Sequence, residues 1–218
     1  MASVTPSELA YWYLRFNGYL QLENFIVHPA RKGSARTDAD IIGVRFPFRW
    51  ELGLDYPDPM TDDVKLASPH NCIDVIVVEV KTNQDCSLNG PWTDPVLRNV
   101  DRLLAAVGCV KEAEIREASA AIYATGIYRS RQLQIRLVAI GRVPNADLLQ
   151  RYPSVTQLVW SDTIEFIWTR FSLYSKQKRD VNQWAGTAGS WLRDEAGRTS
   201  LAEFTSNVCH AIGARPVS

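Results

Sequence analysis

The chain has 218 residues, a formal net charge of zero and 46% hydrophobic residues. This length and composition are typical of one globular domain and exclude a large multidomain machine and a globally disordered chain. The four cysteines lie far apart with no Cys-x-x-Cys pair, which excludes a dense disulfide framework and a zinc site of that pattern. Apolar runs stay shorter than the roughly 20 residues of a membrane span, and the first residues lack the layout of a signal peptide. We therefore expect a cytoplasmic protein without a membrane partner.

Charge is unevenly distributed along the chain. Residues 50–97 hold nine acidic and two basic residues, whereas residues 98–151 hold nine basic and five acidic ones. Residues 47–70 include four prolines and no sustained period, so we predict an insertion there. A solvated loop accounts for its acids, which are Asp55, Asp58, Asp62 and Asp63. A cation site in the strand that follows, flanked by basic residues that hold phosphate, is the other interpretation of this segment.

The predicted elements begin with a helix, because Thr5-Pro6-Ser7-Glu8 has the capping-box pattern and Asn17-Gly18 is typical of a helix end. Its apolar stripe comprises Leu9, Trp12, Tyr13, Phe16 and Leu20. Strands are predicted over residues 22–28, 38–46, 72–82, 133–140 and 156–160. Further helices are predicted over residues 95–107, over residues 110–124, after an Asp162-x-x-Glu165 cap, and over residues 201–212.

This order of elements predicts an α/β (α+β) protein with a mixed sheet. We expect a single domain with a core over about residues 5–160, the insertion at 47–70 and a helical extension over 161–218. The strand at 72–82 is apolar on both faces, which predicts a central, buried position.

Two charged residues stand in this central strand. Residues two apart on a strand share a face, so Glu79 and Lys81 project together, whereas Asp74 faces away and is interpreted as structural or solvated. Buried charges need a partner or a metal ion. A structural ion pair is the simplest explanation, since Glu-x-Lys tripeptides are common.

The preceding strand adds a second acid. Asp40 is followed directly by the apolar run Ile41-Ile42-Gly43-Val44. Asp38 could join a metal site, although a turn at the strand edge is the simpler explanation for it. Asp40, Glu79 and the backbone carbonyl of Val80 together can bind Mg²⁺, which keeps several waters in octahedral geometry. Lys81 would then orient an attacking water or offset developing charge.

These residues resemble the signature of the PD-(D/E)XK nuclease superfamily, which includes restriction endonucleases and archaeal Holliday-junction resolvases. The family places an acid on the second core strand and Asp/Glu-x-Lys on the third, here Asp40 and then Glu79-Val80-Lys81. The resemblance covers about residues 5–141 and implies a restriction-endonuclease-like αβββαβ core. It also implies an Mg²⁺- or Mn²⁺-dependent nuclease that cleaves DNA, with Asp40, Glu79 and Lys81 as catalytic residues.

Two features bear on this resemblance. Asp40 and Glu79 are 39 positions apart, more than in the compact members, so residues 47–70 must leave the core. The family's first helix often supplies another acid, and Glu8 has the corresponding place. Glu8 is equally well explained as the capping-box partner of Thr5.

Several residues are candidates for binding nucleic acid. Arg31, Lys32 and Arg36 precede Asp40 and can clamp phosphates, although a solvated loop explains them nearly as well. Gln84 follows the Glu-x-Lys strand and is a candidate for contact with the substrate backbone.

Three interpretations stay open at this point: the nuclease, a nucleic-acid- or protein-binding module of the same fold without catalysis, and an unrelated α/β protein with a buried ion pair. The third predicts a separation of more than about 8 Å between Asp40 and Glu79, too far for one Mg²⁺ ion. A homodimer is compatible with all three.

Overall fold

The structure is a computed structural model that describes residues 4–28, 35–55, 59–178 and 184–215. These residues form six strands: β1 (Leu20–Val27), β2 (Thr37–Arg45), β3 (Ile73–Val80), β4 (Ile127–Arg129), β5 (Leu133–Gly141) and β6 (Thr156–Val159). They also form eight α-helices: α1 (Pro6–Phe16), α2 (Gly90–Thr93), α3 (Asn99–Val107), α4 (Ile115–Thr125), α5 (Ala146–Arg151), α6 (Trp160–Leu173), α7 (Ala188–Ala196) and α8 (Leu201–Ile212). None of the helices in these ranges has the length and apolar character needed to cross a bilayer.

All six strands belong to one mixed sheet. β1, β2 and β3 are antiparallel neighbours, and β5 lies parallel to β3 on its other side. β4 and β6 both pair with β5, the first antiparallel and the second parallel. Six of the eight residues of β3 are buried, which confirms the predicted central strand. The chain is therefore a mixed α/β protein, as the order of elements predicts.

Helix α1 begins and ends where the sequence predicts. The Glu8 N–H donates to the Thr5 hydroxyl at 3.2 Å, and the Thr5 N–H donates to the Glu8 carboxylate at 2.8 Å. Asn17 ends the helix, and Gly18 follows with φ of +81°, a conformation that costs glycine no Cβ clash. The prediction for Leu20 was wrong: the turn at Gly18 takes it out of the helical stripe and into β1, where it is 66% exposed.

Helices cover both faces of the sheet. On one, which we call the α1 face, α1, α6, α7 and α8 pack against β3 side chains that include Ile76 and Val78. On the other, which we call the α3 face, α3 and α4 pack with Trp92 of α2 against Val75 and Val77. Because the two apolar clusters use alternate residues of β3, both faces of this strand are covered.

The helix predicted over residues 95–107 is shorter than expected and is preceded by a broken segment. A 3-10 helix at Pro95–Leu97, capped by Asp94, separates α2 from α3. Arg98 then adopts a left-handed φ of +53°, which interrupts any continuous helix. Val96 was assigned to the buried stripe of this helix but is 84% exposed, because it lies in the 3-10 turn before α3 begins.

The segment predicted as a solvated insertion packs onto the α1 face. The Tyr13 hydroxyl donates to Asp63 at 2.7 Å, and Asp62 pairs with both Arg45 and Arg49. Asp62 and Asp63 do lie in a loop, but the interpretation of them as solvated acids was wrong, since buried arginine and tyrosine groups require them as partners. Of the remaining two acids, Asp55 is exposed and Asp58 lies outside the described residues.

The C-terminal helices are more extensive than periodicity predicts. Helix α6 begins at Trp160, directly after β6, so the predicted Asp162-x-x-Glu165 cap is wrong. Helix α7 was not predicted, because a nine-residue helix with no side-chain cap carries a weak signal. Leu192 of α7 and Phe204 of α8 are fully buried with α1 and α6, so these helices complete the core of the α1 face.

Asp74 is buried on the α1 face, as strand alternation predicts. Its carboxylate accepts hydrogen bonds from the Tyr19 hydroxyl at 2.5 Å, from Arg136 at 2.7 Å and from the Gln134 amide at 3.0 Å. A second arginine, Arg45, lies 3.4 Å away. Asp74 therefore connects the segment between α1 and β1, which contains Tyr19, to β2 and β5. Its role is structural.

Candidate active site

Asp40, Glu79 and Lys81 meet at one end of the β2–β3 pair. The antiparallel register pairs Ile41 with Val78, so the next position places Asp40 opposite Glu79. Directly opposite residues of antiparallel strands project from the same face. Lys81 follows Glu79 by two residues and shares that face, which is the α3 face.

Asp40 is bound to the backbone of the neighbouring strand. Its Oδ2 accepts a hydrogen bond from the Val80 N–H at 2.6 Å, so the carboxylate lies at the residue between Glu79 and Lys81. Burial raises the pKa of Asp40 above the usual carboxyl value, and the Val80 hydrogen bond and the Lys81 charge oppose that shift. Asp40 is only half-buried, so one side of it stays open to solvent.

Glu79 is almost fully buried, with 3% of its surface exposed. Its Oε1 accepts hydrogen bonds from the Lys81 ammonium at 2.6 Å and from the Asn89 side-chain amide. Its Oε2 accepts one from the Trp92 indole at 3.1 Å. Burial raises the pKa of Glu79, the Lys81 hydrogen bond lowers it, and the nearby Asp40 charge raises it. The carboxylate is thus held at both oxygens beside a second acid.

Lys81 is held at its backbone as well as at its ammonium. Its Nζ also donates to Asn89 Oδ1 at 2.8 Å. Its N–H donates to the Ile140 carbonyl at 2.8 Å, and its own carbonyl accepts from the Trp160 indole at 3.1 Å. These contacts continue the β3–β5 ladder past the last residue of β3 and fix the base of the side chain.

The loop after Lys81 is packed tightly against the end of β5. A Cβ at Gly141 would lie 2.6 Å from the Cys86 nitrogen, so only glycine permits this approach. The Arg142 N–H donates to the Gln84 carbonyl at 2.8 Å, which ties the loop to the residue after β5. The backbone that supports the site is therefore rigid on its β5 side.

Asn89 and Trp92 complete the site, and the sequence interpretation missed both. They follow Glu79 by ten and thirteen positions, a spacing that no periodic pattern connects to a strand. The available signal was chemical: a buried tryptophan needs an acceptor for its N–H, and Glu79 is an acid in an apolar strand.

Two of the four residues predicted to bind nucleic acid, Arg31 and Lys32, lie outside the described residues. The Arg36 guanidinium donates to Asn99 Oδ1 and to the Leu97 carbonyl, each at 3.0 Å, and so joins the start of β2 to α3. The Gln84 side chain is exposed. A role of these residues in substrate binding stays a prediction.

Glu8 has its contacts at the helix cap. Its carboxylate accepts from the Thr5 N–H and hydroxyl at 2.8 and 2.9 Å, and α1 packs on the face opposite to the one from which Glu79 projects. Burial and then the Glu8 charge raise the pKa of Glu23 on the edge strand β1. The structure thus places Glu8 near β1, and its catalytic role stays a prediction.

The donor set fits a hard divalent cation. Two carboxylates on one face, both with raised pKa values, and a nearby carbonyl at Val80 are oxygen donors of the kind that Mg²⁺ and Mn²⁺ bind. The described residues contain no group of three or more His, Cys, Asp or Glu side chains that could hold a metal ion.

A cavity lies elsewhere in the molecule, away from the candidate site. It has a volume of about 760 Å³, and the described residues that line it come from α6, α7 and the segments after each, not from β2 or β3. We assign the site by its side-chain chemistry instead of by cavity size.

Comparisons with protein-family models, with curated proteins and with solved structures give no match to this chain.

Proposed function

We propose that this protein is a divalent-metal-dependent nuclease of the PD-(D/E)XK type that hydrolyses phosphodiester bonds of DNA. The observation that carries the proposal is the convergence of Asp40, Glu79 and Lys81 on one face at the end of the central strand. Two carboxylates and an amine on adjacent strands are suited to phosphodiester hydrolysis. A purely structural ion pair between Glu79 and Lys81 would not explain why the second acid, Asp40, lies beside it.

The sheet topology gives independent support. One helix, an antiparallel meander of three strands, a helical crossover and β5, which is parallel to β3, occur in this order, with the short strand β4 placed between the crossover and β5. A restriction-endonuclease-like αβββαβ core has the same succession. The acid on the second strand and the Glu-x-Lys on the third are the positions that the resemblance assigns to catalysis.

The chemistry divides among the chain's own residues. Asp40 and Glu79 would hold Mg²⁺ or Mn²⁺, with the Val80 carbonyl as a further donor. When bound, such an ion polarises the phosphoryl oxygens and lowers the pKa of a coordinated water. Lys81 keeps its ammonium beside Glu79 and can donate hydrogen bonds to the charge that develops on the phosphate.

A binding module of the same fold without catalysis is the second candidate. The observation that favours it is that both oxygens of Glu79 already accept hydrogen bonds from protein donors and that this residue is 3% exposed. Such a protein would bind nucleic acid or a protein partner and would leave phosphodiester bonds intact with either metal ion.

The experiment that tests the proposal is incubation of the purified protein with plasmid, single-stranded DNA and RNA, with and without Mg²⁺ or Mn²⁺. We expect cleavage of DNA that requires the metal and that falls at least about 100-fold in Lys81→Met and in Asp40→Asn. Lys65→Met is the matched control, because it removes a lysine whose ion-pair partner is Asp162 of α6 and not a residue of the candidate site. Circular dichroism at the assay temperature checks that each variant is folded.

Two results would contradict the proposal. Metal-dependent cleavage by Lys81→Met at the wild-type rate would exclude the mechanism. Failure of the wild-type protein to cleave any of the three substrates with either metal would exclude the nuclease and favour the binding module.

A further inference from the structure

Asn89 contacts both charged groups of the site with one side chain. Its amide N–H donates to Glu79 Oε1, and its Oδ1 accepts from Lys81 Nζ at 2.8 Å. A primary amide is the side-chain group that offers a donor to an anion and an acceptor to an ammonium at the same time without a charge of its own. Aspartate would repel Glu79, and lysine would repel Lys81.

The local structure indicates that this use of Asn89 is specific. Asn89 is the N-cap residue of α2, where asparagine normally accepts a hydrogen bond from a backbone N–H of the first turn. Here the side chain makes no such bond, and its oxygen is directed to Lys81 instead. The helix therefore forgoes a local stabilising contact that its sequence makes possible.

Trp92 fixes the second oxygen of Glu79. Its indole N–H donates to Oε2 at 3.1 Å, and its ring is 1% exposed among apolar residues of the α3 face, including Val100 and Leu103. Because the ring is held by packing, the direction of this hydrogen bond is fixed. Donors at both oxygens determine the plane of the carboxylate as well as its position.

We propose that Asn89 and Trp92 are positioning residues that hold Glu79 and Lys81 in the orientation required for hydrolysis. This inference rests on the proposed function of the same site. Residues that orient the groups of a metal or catalytic site typically change activity by about 10–100-fold when they are removed. Neither side chain needs to contact the substrate for this effect.

The test compares Asn89→Ala and Trp92→Phe with two matched controls. Asn207→Ala removes an asparagine amide that donates to Glu195 at 2.6 Å, and Trp168→Phe removes an indole N–H that donates to the Thr199 carbonyl at 3.3 Å. Both control bonds lie in the C-terminal helical region. Steady-state kinetics on DNA and thermal unfolding are measured for all four variants.

We expect kcat to fall about 10–100-fold in both site variants with little change in KM, and both controls to keep wild-type kcat. A second readout is the ¹⁵N–¹H spectrum of the indole groups, in which Trp92→Phe identifies the Trp92 resonance. This resonance should shift in Asn89→Ala, because the Glu79 carboxylate that accepts from the indole loses a donor at its other oxygen. A purely structural role would lower the melting temperature without lowering kcat in the folded protein.

The two proposals fail in different ways. Wild-type cleavage together with unchanged kcat in Asn89→Ala and Trp92→Phe overturns the positioning role alone. An unmoved Trp92 resonance in Asn89→Ala also overturns it, since Asn89 then has no influence on Glu79. Absence of wild-type cleavage overturns the proposed function and, with it, this inference.

Discussion

Lys81→Met removes the ammonium from beside a carboxylate that is almost fully buried. Its Nζ lies 2.6 Å from Glu79 Oε1, and Glu79 is 3% exposed. Removal of one partner of a buried ion pair leaves an uncompensated charge and costs about 3–5 kcal/mol of unfolding free energy. The Lys81 side chain is 17% exposed, and Asn89 and Trp92 still donate to the carboxylate. We therefore expect a loss of about 3 kcal/mol at neutral pH, the lower end of that range.

The companion change Glu79→Gln separates the effect of charge from that of shape. An amide keeps an oxygen acceptor for the donors around it, so this variant should lose about 1 kcal/mol. The double variant holds no unpaired buried charge and should be about 1 kcal/mol more stable than Lys81→Met alone. The two changes should therefore be non-additive by about 2 kcal/mol.

Urea unfolding followed by tryptophan fluorescence gives the four free energies of this cycle. The control cycle uses Lys65→Met and Asp162→Asn, because the side chains of that pair are 39% and 43% exposed. An exposed pair should show a coupling of less than about 1 kcal/mol. If the coupling of Lys81 with Glu79 is no larger than the control coupling, the pair is not desolvated and the electrostatic reasoning about the site is wrong.

Three further predictions concern pH, the helix cap and the α1 face. Burial raises the pKa of Glu79 in the folded protein above its unfolded value, so unfolding releases a proton at pH values between the two. Wild-type stability relative to Glu79→Gln should therefore fall as the pH rises above the ordinary carboxyl value of about 4.3, and urea titrations that show a rise would contradict this. Glu8→Ala and Glu203→Ala each remove the side-chain acceptor of a capping box and should lower the melting temperature to a similar extent, with cleavage unchanged. Loss of cleavage in Glu8→Ala alone would make Glu8 catalytic. Asp74→Asn should cost about 3–5 kcal/mol in urea, since it leaves two buried arginines without their shared acid; a loss under about 1 kcal/mol would exclude the structural role.

Local signals in the sequence predicted the parts of the fold that depend on neighbouring residues. The capping box at Thr5 and Glu8 and the left-handed Gly126 after α4 mark helix ends, because they satisfy backbone groups within a few residues. The apolar run of β3 predicted a central strand, since both of its faces are covered in the sheet.

Other features depend on contacts between distant segments and were not predicted correctly. The sequence indicates that Asp62 and Asp63 are solvated. Only the folded structure brings them into contact with Arg45, Arg49 and Tyr13. Val96 was assigned to a buried helical stripe, but it lies in the 3-10 turn that begins at Pro95. In that turn the backbone geometry overrides the periodicity of apolar residues. For Asp62 and Asp63 the deciding partners lie outside the window over which a sequence pattern is analysed, whereas for Val96 the deciding residue is its neighbour Pro95.

The candidate site divides in the same way. Alternation along one strand is a covalent property of extended backbone, so the sequence by itself determined that Glu79 and Lys81 share a face. The register between β2 and β3 depends on pairing across 39 positions, and only the tertiary structure decided that Asp40 lies opposite Glu79. Packing on the α3 face likewise decided that Asn89 and Trp92 donate to Glu79, because a hydrogen bond between segments has no local sequence signature.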